Sequence, residues 1–367
     1  MRISEKTLFI AIIVSIVTVS AGDFDPLLLS SRSMYSASGK ALGDAGIAYP
    51  NDILCGMVNP ALVCSYFAKN RSKKVMISTG YGRDSIFDRH IIPFGVALGS
   101  PEGGLGFFYR GMFGERKNEQ NEIVLNLSGM ISGAQRDGKN NLSIGQVDFG
   151  ANIRYEWYTW NRRILVPLDS ISAIDNGSIK QKRLLLDIGL YQSNVSSNLD
   201  FALTMRDIIG YCWTEENPVL TDSLKKEYNA DGDTVNKKVP YYLWINKKSR
   251  DWVEGRYKAL TLGIVYHFNQ GSSVIQVDLP MDFEILGLYD RHTKNRYIFR
   301  GGISAKIINN FTARLGYSRT PGPIKSGWKE IKNINVFTGG AGISFNPVVV
   351  DFYLSNETFG TTLSCAF

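Results

Sequence analysis

Between Gln146 and Tyr158 the chain reads QVDFGANIRYEWY. Val147, Phe149, Ala151, Ile153, Tyr155 and Trp157 fall on one face, and Gln146, Asp148, Asn152, Arg154 and Glu156 on the other. A period of two is a strand, and its length is what limits the fold. Soluble sheets use about 5 or 6 residues per strand, whereas a tilted crossing of a bilayer takes about 9 to 11. Comparable segments recur at 74–81, 90–99, 104–113, 122–133, 143–158, 182–191, 198–206, 257–268, 272–283, 296–307, 310–319, 333–345, 347–355 and 358–367, about fourteen in all, with 241–246 as an extra.

The same division of faces returns in later segments. Arg183 and Asp187 stand opposite Leu184, Leu186, Ile188 and Leu190, and Asp200 and Arg206 stand opposite Leu199, Phe201, Leu203 and Met205. Arg300 and Lys306 oppose Tyr297, Phe299 and Ile303, and Arg314 opposes Phe311, Leu315 and Tyr317. An apolar belt around a polar interior is the pattern of a barrel in lipid, and only closure leaves no strand edge unpaired in hydrocarbon. The expected fold is therefore all-β, a transmembrane antiparallel β-barrel of about 14 strands. Asp148, Asn152, Arg154, Glu156, Arg183, Asp187, Asp200, Arg206, Arg300, Lys306 and Arg314 are its candidate lumen-lining residues. They serve either as a solute path or as partners for one another and for whatever fills the lumen.

Connections alternate in length. Asn269–Gly271, Ile308–Asn310 and the Asn346-Pro347 corner are tight, whereas 160–182, 208–240 and 320–332 are long and polar and read as external loops. Within the longest, Asp222 to Tyr228 reads as a helical turn. Asn229 to Asp233 resembles half a calcium loop without its downstream Glu, so it is taken as a plain turn and no metal is expected. Pro93 and Pro280 lie well inside strands and are the positions where the wall would be interrupted. His90, His267 and His292 belong to no catalytic motif, so neither an enzyme nor a cofactor is expected.

The chain opens with Arg2 and Lys6 around an apolar run, Thr7 to Val19, too short to span a bilayer as a helix and followed by small residues; 1–22 reads as an export signal. In an oxidising compartment Cys55 and Cys64 form either a bridge or two buried thiols. The net charge of +7 lacks any basic run interleaved with aromatics, which sets nucleic acid aside in favour of anionic lipid or cargo.

Residues 33–62, SMYSASGKALGDAGIAYPNDILCGMVNPAL, are too rich in Gly, Ala and Ser for an ordinary amphipathic helix and end in an Asn-Pro-Ala turn. They read as the centre of an N-terminal luminal plug over 23–72, enclosed by a barrel over 73–367, with luminal charges as partners for Lys40, Asp44 and Asp52. Gly39, Gly43, Asp44, Gly46, Asn51, Asp52, Asn59, Pro60 and Ala61, in that order, resemble the plug signature of the FadL-like outer-membrane proteins, most of all the PorV and PorQ branch. The last two strands are also similar. That resemblance implies a fourteen-stranded outer-membrane barrel blocked by its N-terminal segment, working without catalysis. Its task would be either transport of hydrophobic molecules, released sideways through the wall near the plug, or type IX protein secretion, with secreted cargo and secretion-machinery subunits as partners. Ending on Phe367 resembles the C-terminal signal read by the outer-membrane barrel assembly machinery. The alternative is a structural or adhesive surface barrel whose external loops bind partners.

Overall fold

The computed structural model describes residues 36–84, 89–114, 119–131, 147–168, 171–196, 198–217, 220–228, 234–242, 247–252, 258–268, 275–287, 296–307, 310–326, 329–356 and 358–367. The expected export signal lies outside them. In chain order the strands are β1 (Val75–Asp84), β2 (Arg89–Ser100), β3 (Gly103–Gly114), β4 (Glu119–Ile131), β5 (Val147–Leu168), β6 (Ile171–Ser196), β7 (Leu199–Asn217), β8 (Leu220–Tyr228), β9 (Thr234–Tyr242), β10 (Lys247–Trp252), β11 (Ala259–Phe268), β12 (Ile275–Leu286), β13 (Arg296–Ile307), β14 (Phe311–Ser326), β15 (Lys329–Phe345), β16 (Val348–Ser355) and β17 (Thr358–Ala366).

Fourteen of these, β1 to β7 and β11 to β17, pair with their neighbours into a closed antiparallel barrel. Closure comes from β17 against β1, in register from Met76 opposite Ala366 to Asp84 opposite Thr358. The last residue takes part: Lys74 N and Val75 N donate to Phe367 O at 2.6 and 3.1 Å, and Phe367 N donates to Val75 O at 2.8 Å. No backbone edge is therefore left open in the wall, the condition hydrocarbon imposes.

Burial is inverted relative to a soluble protein. Leu127, Ile153, Leu315, Phe337 and Leu354 are exposed on the outside, while Arg110, Glu122, Arg154 and Asp187 are buried inside. Water would reject such an outer face and hydrocarbon accepts it.

The three long external loops expected from polarity are in large part strand. β5 and β6 continue pairing from Trp160 opposite Ile179 out to Leu168 opposite Ile171, and β14 and β15 continue through a bulge between Pro321 and Ile324 to Ser326 opposite Lys329. The helical turn expected at Asp222 to Tyr228 is β8, which pairs with β9, and β10 adds to the outer end of β7. The sequence in these hairpins lacks the period-two alternation that marks a strand, while the ladder still satisfies the backbone. Asn229 to Asp233 and residues 243–246 of the expected extra strand lie outside the described residues.

Candidate functional site

The N-terminal segment folds from local rules. Ser36 caps the short helix Ala37–Ala41 by accepting from Gly39 N at 3.1 Å, and Gly43 (φ 69°) and Asp44 (φ 64°) then turn the chain through the left-handed region. Asp52 accepts from Leu54 N at 2.7 Å and starts the 3-10 turn Ile53–Met57. Asn59 fixes the Asn-Pro-Ala turn: its side chain accepts from Ala61 N at 3.1 Å and donates to Ile47 O at 2.7 Å and to Leu190 O of β6 at 3.3 Å. The following helix, Leu62–Lys69, is buried from Leu62 through Phe67, including its polar Ser65, which is possible because the barrel surrounds it.

Polar groups on strands around the barrel hold this segment. Thr362 accepts from Ala37 N at 2.6 Å, Thr338 from Gly43 N at 3.0 Å, and Asp282 from Gly46 N at 2.7 Å and Ile47 N at 3.1 Å. Asn152 donates to Gly56 O at 2.8 Å, Asn126 to Pro60 O at 3.0 Å, and Ser65 donates to Asp148 at 2.5 Å. Between them Ile47, Ile53, Leu54, Met57, Val63 and Phe67 form a core with Met76, Ala97, Phe108, Val124 and Val265 of the wall. Replacing Asp282 by alanine orphans two buried N–H groups, at about 1–3 kcal/mol each. We expect a lower urea midpoint and faster proteolysis within 43–50, with Asp282→Asn milder because it keeps an acceptor.

Gly39, Gly43, Gly46, Asp52, Asn59, Pro60 and Ala61 are buried, Asp44 and Asn51 partly so. Lys40 pairs with Asp44 at 3.0 Å, and Asp52 accepts from Ser38 at 2.6 Å and from Leu54 N; luminal charge reaches the segment through Arg300, which interacts with Asp44, and through Asp282, which accepts from Gly46 N and Ile47 N. Cys55 and Cys64 are free thiols. Cys55 donates to Asn51 at 2.8 Å and burial pushes it well up, while burial and the Asp148 charge push Cys64 up to about 12, so neither is poised as a thiolate.

On the hairpin side of the segment the lumen is filled by charge. Register places Arg110, Glu122, Glu156 and Arg183 opposite one another in a row across β3 to β6. Arg154, one step below, reaches Glu122 at 3.0 Å, Asp187 at 2.6 Å, and Glu156 and Asp207. Arg110 meets Glu122 at 2.9 Å, Arg183 meets Glu156, and Arg206 lies 3.9 Å from Asp187. Four arginines and four carboxylates, all buried, balance each other. Across the lumen Arg300 pairs with Glu284 at 2.6 Å and Arg314 with Asp351 at 2.5 Å.

Of the eleven expected luminal residues only Lys306 is exposed, at the short-turn end of β13, rather than lining a closed interior. Sequence reading missed Arg110, Glu122, Asp207, Asp282, Glu284 and Asp351. All but Asp207 sit at inward positions of their strands.

Each internal proline leaves a gap in one ladder, with the register kept and the proline still paired with the strand on its other side. The β1–β2 ladder passes from Thr79 opposite Phe94 to Gly82 opposite Ile91, skipping Pro93, which has no N–H to give; β12–β13 skips Pro280 in the same way, between Asp278 opposite Ser304 and Met281 opposite Gly301. At Pro93 a cavity of about 20 Å³ lies between the wall and the start of the segment, bordered by Ala37, Lys40, Tyr81 and Tyr353. That holds about one water.

No family model matches the chain, and no curated protein matches it by sequence. By structure it is similar to the CymD monoaromatic hydrocarbon channel, with a TM-score of 0.56 at 12% identity over 91% of this chain and 97% of that one. It is also similar to the P. putida toluene transporter TodX, at 0.53 and 12% identity over 92% of this chain and 99% of that one, and to a Pseudomonas aeruginosa FadL homologue, at 0.51 and 11% over 90% and 97%. A closed fourteen-stranded barrel with buried luminal charge, matched end to end in shape by these channels, has the FadL-like fold.

Proposed function

We propose that this chain is a non-catalytic outer-membrane barrel, exported by residues 1–22, that passes small hydrophobic molecules through its wall rather than along its axis, with residues 23–72 as the plug. The observation that carries the reading is the contrast between the two routes. Along the axis a solute would meet the seated segment and eight buried charges, an environment that repels apolar matter. Sideways, at Pro93, the ladder lacks its pairs between Thr79–Phe94 and Gly82–Ile91, and a cavity adjoins the first helix of the segment. Similar folds that carry monoaromatic hydrocarbons support the choice of substrate class.

The test is uptake of toluene into vesicles bearing the reconstituted barrel. Pro93→Thr supplies the missing N–H and lets the ladder close, and should slow uptake by about tenfold, the factor that about 1.4 kcal/mol of barrier produces. Deleting 33–62 should change uptake as well. Uptake indifferent to both changes removes the transport reading.

A second reading has its own observation. The β5–β6 hairpin rises well past the length a bilayer needs, which gives the rim a scaffold for a protein partner. On that reading the chain is of the PorV or PorQ type and holds secreted cargo with subunits of the type IX machinery. Copurification separates the two: a lipid-like molecule argues for uptake, a secreted protein or secretion subunit for export. On either reading we propose that the barrel assembly machinery reads Phe367, whose side chain is exposed.

A further inference from the structure

His267 is far from isolated. Its Nδ1 lies 2.6 Å from Asp278 on β12 and its Nε2 lies 3.1 Å from Asp200 on β7. Each carboxylate also holds the N-terminal segment: Asp200 accepts from Lys69 at 3.3 Å, at the end of the helix Leu62–Lys69, and Asp278 accepts from Tyr49 at 2.8 Å. The wall adds Tyr191 of β6, which donates to Asp200 at 2.5 Å, and Asp148 of β5, bound by Ser65. Nδ1 is hydrogen-bonded to Asp278, while Nε2 makes no hydrogen bond but lies 3.1 Å from an Asp200 oxygen; an unprotonated nitrogen lone pair that close to a carboxylate is repulsive, so the imidazolium is the form that fits. With His267 charged, it and Lys69 offset two of the three carboxylates, Asp200, Asp278 and Asp148; without that proton one more buried negative charge goes uncompensated. Lys69 is partly exposed, so the cluster is open to water and protons.

We propose that His267 is a pH-operated latch on the N-terminal segment: protonated, it gathers the carboxylates that hold Tyr49 and Lys69, and on losing its proton it releases the short-turn end of the segment. The latch concerns how the segment is held and stands apart from what the barrel carries. Stabilisation by the latch is present at low pH and is lost as pH rises through the titration of His267.

The segment carries its own reporters in the buried free thiols Cys55 and Cys64. In the full chain with Cys212→Ser and Cys365→Ser, maleimide labelling is measured at about pH 6 and about pH 9, each rate divided by that of the urea-unfolded protein at the same pH. The normalised rate should rise about tenfold with pH, the effect of losing one charge-assisted hydrogen bond on a local opening. His267→Gln should label at the higher rate at both pH values. Tyr49→Phe, which keeps the imidazole but removes one tether, should label faster while keeping the pH dependence, and it serves as the test if His267→Gln does not fold. A flat normalised profile in the parent, or a pH dependence that survives in His267→Gln, overturns the latch.

Discussion

Arg154→Leu is expected to lower the stability of the barrel by about 3–5 kcal/mol, the range found when one member of a buried charge cluster is removed and its partners stay behind. Arg154 is in contact with four carboxylates, Glu122, Glu156, Asp187 and Asp207. Its removal turns a balanced set of eight buried charges into one with an excess negative charge, in a site with little water to solvate it. Arg110 and Arg183 still serve Glu122 and Glu156, and Arg206 lies 3.9 Å from Asp187, so the loss falls hardest on the β6–β7 side. Arg154→Lys keeps the charge but loses the fork that reaches several acids at once, and should fall between. The double variant Arg154→Leu with Asp187→Asn restores neutrality and should be less destabilised than Arg154→Leu alone, a coupling visible only in the cycle. The readouts are the heat-modifiability shift on gels and the urea midpoint in detergent. A midpoint for Arg154→Leu equal to that of the parent would show that the cluster is a lining and not a support.

The legibility of this site followed the surroundings of each strand. On β5, β6, β7, β13 and β14 the alternation placed Asp148, Asn152, Arg154, Glu156, Arg183, Asp187, Asp200, Arg206, Arg300 and Arg314 on the inner face, because lipid on one side and charge on the other leave no ambiguity. On β3 the same reasoning lost Arg110. There Phe108 points inward as Phe107 points outward, since the lumen at that height is apolar: the N-terminal segment supplies Val63 and Gly56 for Phe108 to meet. Val124, Ala97 and Val265 blur their strands in the same way. Asp207 was hidden for a different reason, sitting at φ 56° where the β6–β7 register shifts, outside any periodic run. The partners of the segment were legible only in part: Asp148, Asn152 and Asp200 are among the expected luminal residues and hold it, while Asp282, Thr338 and Thr362 are not among them. Its signature says that small residues and an Asn-Pro-Ala turn belong together, but which wall residue receives which N–H depends on the height at which the segment sits, and that is fixed only by closure of the barrel.

That height is recorded in glycines of the wall, and they give the second large effect. Gly150→Val and Gly316→Val are expected to unseat the N-terminal segment while leaving the barrel closed. A Cβ at Gly150 would run into the backbone of Pro60, and one at Gly316 into the backbone between Leu42 and Gly43. A Cβ at Gly302 would come less close, with Leu42 O at 2.9 Å and its Cα at 3.0 Å, and one at Gly340 would meet the Cβ of Ala41 at 2.5 Å. The obstructing atoms are main chain or short side chains, so no rotamer change makes room and the segment must shift. From the other side, Gly43 at φ 69° has neither the conformation nor the space for a side chain, since a Cβ there would lie 2.6 Å from the backbone of Tyr317. The wall should tolerate the added groups, because an inward Cβ leaves its own ladder hydrogen bonds intact. Conductance across a planar bilayer reports the result: the parent should be closed and both variants should open, with Cys55 becoming reactive to maleimide in the same preparations. Gly339→Ala is the control, since its Cβ would find Leu315 at 3.6 Å and the carbonyl of Arg314 at 3.9 Å, both ordinary contacts, and should change neither reading. Closed channels in both valine variants, with Cys55 still protected, would mean that the segment is held by its hydrogen bonds to Asp282, Asn152 and Thr338 strongly enough to displace the wall, and that the glycines only permit its position.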